Sequence, residues 1–345
     1  MIWFDIVCMP EYYWFSRLMD EFPEAIVTAR KDKCLEDLLS LKGVKYWAFG
    51  RHGKNLEEKL TSYLERVLGI AELFRETGDP DLLISHSASA TRVAFGLGIP
   101  SVYVMDDPHA EAQSRLALPI SSRVIVSSWI SEERIVRLGA KRNDIVKFHG
   151  TLERAYLGED FKPENLKIRE RKKEEEGDLV LIRPEPLSSS FMMKDPSSTR
   201  AKEIISEFLK RHPENTYLLF PRDEKQANYL KRLFPEIEIL REIVDGPSLI
   251  YWVDFLVGGG ATMNREASLL GTPNVSFYPE LLEIDSKLME LGFPIKHCLS
   301  PKETVDFYEY SVLKEKVDRE EVREMTKELE DPTEVILNEV EELVL

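Results

Sequence analysis

Cysteine is scarce in this chain of 345 residues: Cys8, Cys34 and Cys298 stand far apart, and no C-x-x-C occurs. A disulfide framework or a thiolate zinc site is therefore not expected, and a cytoplasmic location is the default. Long apolar runs are missing as well. The longest uncharged apolar stretch, Val93 to Met105, is broken by Gly96, Gly98 and Pro100, so no transmembrane segment is expected. The opening Met1-Ile2-Trp3-Phe4-Asp5 lacks a basic n-region and reads as a strand, which argues against a signal peptide. Positive charge is in deficit, with 46 Lys and Arg against 62 Asp and Glu and a formal net charge of −16. Phosphate backbones would be repelled, so nucleic acid is not an expected partner, and anionic lipid is disfavoured more weakly. The Walker lysine loop, a G-x-S-x-G elbow and an H-E-x-x-H helix are all absent, against the NTPase, hydrolase and metalloprotease classes that use them.

What the chain does have is a regular alternation. Hydrophobic residues at 43% and charged residues at 31% describe a globular chain, and its length suits two domains. Ile2–Val7, Ile26–Ala29, Tyr46–Phe49, Leu82–Ser85, Ser101–Met105 and Arg123–Ser127 read as strands. Helical patterns lie between them, including Leu56 to Phe74 with apolar residues at Leu56, Leu60, Tyr63, Leu64, Val67 and Leu68. A second series of strands follows at Leu179–Ile182, Tyr217–Phe220, Ile237–Leu240, Phe255–Val257 and Val275–Phe277. This βαβ order predicts an α/β protein with two doubly wound, Rossmann-type parallel-sheet domains facing a cleft, ligands binding at the carboxyl ends of the strands. The expected divisions are an N-terminal domain over 1–155, a C-terminal domain over 156–317 and C-terminal helices over 318–345, broken at Asp331-Pro332. Residues 158–177 read as a polar connector, whose basic cluster Arg169 to Lys173 is either solvated surface or an interaction patch.

Residues 255–273 carry the strongest signal. An apolar run enters Gly258-Gly259-Gly260, and a helical pattern leaves through Ala261 and Thr262 and stops at Gly271-Thr272-Pro273. Side-chain-free residues at a strand-to-helix turn let backbone N–H groups approach an anion, and the helix adds its positive end. Glu266 falls about one turn into that helix, within reach of a sugar hydroxyl beside a bound phosphate. The plainer alternative is a tight turn that only closes a parallel-sheet unit.

Gly260-Ala261-Thr262, Glu266-Ala267, Gly271-Thr272-Pro273 and Val275 to Pro279 together resemble the nucleotide-sugar signature of GT-B glycosyltransferases, above all the N-acetylglucosaminyltransferase that makes lipid II. That resemblance implies that Gly259, Gly260, Ala261 and Thr262 contact a UDP diphosphate and that Glu266 holds the ribose; Gly258, the first glycine of the turn, is expected on the diphosphate with them. Over most of its length the chain also resembles a largely archaeal family known as domain of unknown function family 354. The carrying segments are 79–86, 94–100, 106–112 and the glycine turn. The family's first strand leads into a histidine-bearing loop where GT-B transferases bind acceptor. Here residues 8–15 hold no histidine, and Glu11 is the carboxylate placed to act as base; Tyr12, Tyr13 and Trp14 either pack or form an acceptor platform.

Further candidates lie at strand ends. His86 and Ser87 sit where a strand opens into a helix, a position for substrate contacts. Asp106-Asp107-Pro108-His109-Ala110-Glu111 gathers titratable groups, and Asp107 or His109 can take a proton from an acceptor hydroxyl. The alternative is a helix cap, with Asp107 capping and Pro108 at the first helical position. His109-Ala110-Glu111-Ala112 with Arg115 also resembles the H-x-E-A-x-x-R element of non-hydrolysing UDP-N-acetylglucosamine 2-epimerases, which implies a catalytic Glu111. Their H-G-D-T aspartate is replaced here by Ala88. Arg183 and Arg222, each following a strand, are candidates to clamp a diphosphate or to form surface ion pairs. Ser188-Ser189-Ser190 is a flexible lip or a phosphate contact. No metal and no cofactor is expected, a UDP-sugar being the donor substrate. The leading expectation is a metal-independent transferase moving a sugar from UDP to an unknown acceptor. A nucleotide-sugar epimerase or hydrolase is the alternative, and a non-catalytic nucleotide-sugar binder is the third reading.

Overall fold

The computed structural model describes the chain except for residues 169, 171–176, 190, 191, 193 and 345. The basic cluster therefore falls largely outside the described residues, as does Ser190. Two units are distinguished: Met1–Tyr156 with the segment from Leu329 onward, and Leu157–Glu328.

Unit 1 is built on seven parallel strands, β1 (Ile2–Ile6), β2 (Ile26–Lys31), β3 (Trp47–Arg51), β4 (Leu82–Ser85), β5 (Ser101–Met105), β6 (Arg123–Ser127) and β7 (Ile145–Phe148). They lie in the order β3-β2-β1-β4-β5-β6-β7. Every residue of β1, β4 and β5 is buried, as a parallel sheet covered on both faces requires. On one face Phe4, Ile6, Val27 and Ile84 meet Trp14, Phe15 and Leu18 of α1 (Met9–Glu21), with Leu35 and Leu39 of α2 (Lys33–Leu41). On the other, Trp3, Ile26 and Leu83 meet Ile70 and Phe74 of α3 (Leu56–Thr77) and Val93 and Ala94 of α4 (Ala88–Leu97). Two shorter helices, α5 (Glu111–Ala117) and α6 (Glu132–Arg137), follow β5 and β6.

Unit 2 carries six parallel strands, β8 (Leu179–Arg183), β9 (Thr216–Leu219), β10 (Glu238–Ile239), β11 (Phe255–Gly258), β12 (Asn274–Ser276) and β13 (Ile295–His297), ordered β10-β9-β8-β11-β12-β13. Its described helices include α7 (Ala201–Arg211), α8 (Glu224–Leu233), α9 (Gly246–Trp252), α10 (Thr262–Leu269), α11 (Glu283–Glu290), α12 (Pro301–Tyr308) and α13 (Arg319–Lys327). In each sheet the strand order reverses beside the first strand, at β1/β4 and at β8/β11. Those carboxyl-end crevices are where open α/β sheets take ligands.

Three differences from the sequence reading have physical causes. Residues 8–15 do not form a loop: α1 begins at Met9, with Pro10 in its first turn, where a missing N–H leaves no helix bond unmade. In α3 the leucines at 56, 60, 64 and 68 face outward, whereas Ser62, Arg66, Ile70, Leu73 and Phe74 are buried. Arg66 is drawn inward by an ion pair with Asp5, both fully enclosed, and by bonds to Ser89 Oγ (3.0 Å) and the Phe49 carbonyl (2.9 Å). The C-terminal helices are divided between the units. In α13 Thr326 Oγ1 donates to the Leu269 carbonyl (3.2 Å). The last helix, α14 (Pro332–Val344), instead buries Ile336 and Val340 in the unit 1 core.

Candidate functional site

The glycine turn closes the β8/β11 reversal point. Gly258 is in register with Arg183 and Ser276, and the Gly259 N–H donates to the Arg183 carbonyl (2.7 Å). The three glycines have different reasons to be glycine. A Cβ on Gly258 would lie 1.7 Å from Asn264 Oδ1, and one on Gly259 would lie 2.6 Å from the Glu185 nitrogen. These two serve close packing, and both are buried. A Cβ on Gly260 would meet only Arg222, at 2.4 Å from Nη2. None of the three has a positive φ, so backbone freedom is not what they supply.

Gly260, Ala261 and Thr262 are partly exposed, and among the described residues their N–H groups have no hydrogen-bond partner. Ala261 caps α10 without a side-chain bond, while its carbonyl accepts from Asn264 and Arg265. Open amides at a helix start, with a guanidinium alongside, have the donors and the positive charge to accept an anion. Arg222 is held in place by its Nε, which donates to the Pro184 carbonyl (3.1 Å), and by its own N–H on Gln226 Oε1 (3.0 Å). Arg183 lies differently. Only 7% exposed, it directs Nη1 to the Phe220 and Pro221 carbonyls and stacks 4.4 Å from the Phe220 ring centroid. It ties β8 to the end of β9, leaving Arg222 as the arginine beside the turn.

Glu266 lies in the second turn of α10 and is buried. Next to it Arg265 forms an enclosed ion pair with Asp285 of α11, Nε to Oδ1 at 3.0 Å. Asn264 is wholly buried, and neither its amide nitrogen nor its oxygen has a hydrogen-bond partner among the described residues. Sequence reading passed over Asn264 because a polar residue in a first helical turn is ordinary. Its contact with Gly258 is a tertiary fact.

In unit 1 the titratable groups collect at the β1/β4 reversal. Glu11 is fully enclosed in the first turn of α1; its Oε2 accepts from the Val7 N–H (2.6 Å) and its Oε1 from the Cys8 thiol (3.2 Å). Burial pushes this carboxyl up to about 7, partly opposed by those two hydrogen bonds. Burial, together with the Glu11 charge, also raises the Cys8 thiol. Arg30, at the end of β2, acts electrostatically on both groups. Sequence reading missed Arg30 because nothing in its neighbourhood along the chain points toward Glu11.

His86 follows β4 with its ring between Trp14 (5.7 Å, edge-on) and Tyr103 (5.3 Å). His86 Nδ1 lies 2.8 Å from the Val104 carbonyl, which can only accept, so Nδ1 carries the proton and Nε2 is the basic nitrogen of the neutral ring. Burial lowers the His86 pKa, so the neutral form is favoured. Gln113 locks the arrangement, donating to the His86 carbonyl (2.6 Å) and the Tyr103 hydroxyl (3.3 Å). Asp106, Glu11 and Cys8 all act electrostatically on buried Tyr103.

Asp107 and His109 form a pair, with His109 Nδ1 and N–H at 3.0 and 3.1 Å from Asp107 Oδ1. The capping expectation fails here. Helix α5 starts at Glu111 with Ala110 as its cap, and Asp107 closes a turn instead. Ser87 does cap, accepting from the Ala90 N–H (3.4 Å), and is buried. Glu111 is exposed and ion-paired with Arg115 (2.7 Å), whereas Asp106 and His109 act electrostatically on His86, and Glu11 and Asp106 on Tyr103. Among the described residues no group of three or more His, Cys, Asp or Glu side chains is arranged to hold a metal ion. No helix among them is long and apolar enough to cross a membrane.

The chain belongs to the family described as Protein of unknown function (DUF354), whose model matches residues 1–344. The uncharacterized protein MJ0665 of Methanocaldococcus jannaschii is 32% identical over 350 residues, covering 98% of this chain and 97% of that protein. The fold is GT-B-like and is shared with solved structures of low identity. A UDP-N-acetylglucosamine 2-epimerase from Rickettsia bellii superposes with a TM-score of 0.74 at 15% identity, covering 100% of this chain and 97% of that one. The UDP-GlcNAc 2-epimerase from Neisseria meningitidis, solved bound to UDP-GlcNAc, gives 0.70 at 12% identity, with 99% of each chain covered. The Anabaena protein HepE, solved with UDP and glucose, gives 0.65 at 15% identity, covering 99% of this chain and 98% of that one.

Proposed function

We propose that this chain is a nucleotide-sugar enzyme that transfers a sugar from UDP to an acceptor hydroxyl. The open amide turn at Gly260–Thr262, at the β8/β11 reversal and beside Arg222, is the observation that carries the reading. UDP would place its diphosphate on those amides and its ribose hydroxyls on Glu266. In the reaction the acceptor oxygen bonds to the anomeric carbon as the bond from that carbon to the phosphate oxygen breaks. The electron pair leaves with UDP, where Arg222 and the amides offset the growing charge. The acceptor proton passes to a base, for which Glu11 is the unit 1 candidate, its carboxyl pushed up to about 7 and so matched to proton transfer near neutrality. Assigning leaving-group charge to these groups calls for no metal.

A second reading, epimerisation at the sugar's C2 by loss and re-addition of UDP, is favoured by the solved relatives and by the His109 to Arg115 element. The exposed ion pair of Glu111 weighs against that residue as its acid or base. Titration calorimetry with UDP, and proton and phosphorus NMR of UDP-GlcNAc incubated with the protein, separate the readings. Transfer requires binding, with UDP release only when an acceptor is supplied; epimerisation produces a second UDP-sugar without one. Arg222→Ala should weaken UDP about tenfold, the order expected of one charge-assisted contact. Absence of any binding of UDP or UDP-sugars at millimolar concentration would reject both.

A further inference from the structure

Helix α3 turns an unusual face outward. Leu56, Leu60, Leu64 and Leu68 recur every fourth residue and are 66%, 63%, 52% and 64% exposed. The helix cannot roll to bury them, because its inner side holds Arg66 against enclosed Asp5, and separating that pair would strand two charges. Helix α4 packs beside α3 and adds Phe95, 58% exposed; α5 packs on α4 and adds Leu116, 54% exposed. Adjoining helices of unit 1 thus present large apolar side chains on their outer faces, and monomeric proteins seldom leave a broad apolar patch open.

We propose that this face is the contact between two copies of the chain, related by a two-fold axis passing between Leu60 and Leu64 of α3. Side chains four residues apart form one ridge, and two such ridges interlock in the commonest class of helix packing, at about −50°. An identical ridge is its own complement, which is what a two-fold interface demands. The area is adequate. The 22 residues of α3 make a helix about 33 Å long, and with the outer faces of α4 and α5 alongside, the face projects to roughly 600 Å². Its corrugated accessible surface approaches the ~800 Å² per partner of a stable dimer. Exposed Glu57, Glu65 and Glu72 border the leucine row and would be repelled by an anionic bilayer. The steep crossing angle splays these carboxylates to the rim of a dimer.

Sedimentation velocity of the full chain at micromolar concentration should show a dimer. Leu60→Lys/Leu64→Lys should raise its dissociation constant about 100-fold or more while leaving the far-UV spectrum and the urea midpoint intact. Leu313→Lys, at another exposed leucine in unit 2, should leave the dimer unchanged. A monomeric wild type, or a double variant that still dimerises, overturns the proposal. So does flotation of a monomeric wild type with zwitterionic phosphatidylcholine vesicles, which would assign the face to lipid. None of these outcomes depends on the nucleotide-sugar reading, so either can fail alone.

Discussion

Replacing Glu11 by Gln should stabilise this protein at alkaline pH. Glu11 is fully enclosed, and its carboxyl is raised from the usual 4.5 to about 7. The sign follows from proton counting. A carboxyl with a raised folded-state pKa binds its proton more tightly in the native state, so its stabilising contribution is complete below about 4.5 and lost as pH rises through 7. The gap of about 2.5 in pKa, at about 1.4 kcal/mol each, makes that loss roughly 3 kcal/mol by pH 8. Glutamine carries no charge to desolvate, and its carbonyl can still accept from the Val7 N–H, the bond that Glu11 makes at 2.6 Å. The stability of Glu11→Gln relative to wild type should therefore rise by roughly 2 to 3 kcal/mol between pH 5 and pH 8. Urea unfolding at several pH values measures that difference, and carboxyl carbon NMR of labelled glutamate locates the titration directly. Parallel pH profiles for the two proteins would refute the reasoning, because they would mean that Glu11 ionises in the fold as easily as in the unfolded chain. The same substitution should abolish sugar transfer while UDP binding survives.

The adjacent glycines make a paired test. Gly258→Ala drives a methyl into Asn264 Oδ1 and should destabilise unit 2 by about 1–3 kcal/mol or more, read as a lower urea midpoint. Gly260→Ala meets only the tip of Arg222, so it should leave the midpoint nearly unchanged and weaken UDP about tenfold by calorimetry. Equal losses of stability at both positions would contradict the division of labour. Arg265→Met removes one half of an enclosed ion pair and should cost about 3–5 kcal/mol, whereas Arg265→Met/Asp285→Leu should recover more than half of that by thermal or urea unfolding.

Alternation of short β-rich runs with helical patterns was enough to read two parallel sheets from the sequence, because a strand buried on both faces must be apolar almost throughout, as β1 and β5 are. The glycine turn was equally legible, since Gly258-Gly259-Gly260 between a strand and a helix is a local arrangement. Two short edge strands, β7 and β13, are not legible in the sequence: β7 is only partly buried and carries exposed Lys147, and the three residues of β13 include Lys296 and His297.

Other features depended on contacts between distant parts of the chain. Leu56, Leu60, Leu64 and Leu68 have helical spacing, but periodicity cannot tell which face turns inward; the Arg66–Asp5 pair decides that across 61 residues. Arg183 and Arg222 look alike at their strand ends. Only the fold commits the first to the Phe220 and Pro221 carbonyls and sets the second beside Gly260. Glu11 is one more carboxylate in the sequence, and its raised pKa exists because α1 carries it out of water. Local pattern thus determined the elements and the turn, while burial and charge pairing, which are properties of the packed chain, decided which side chains could act.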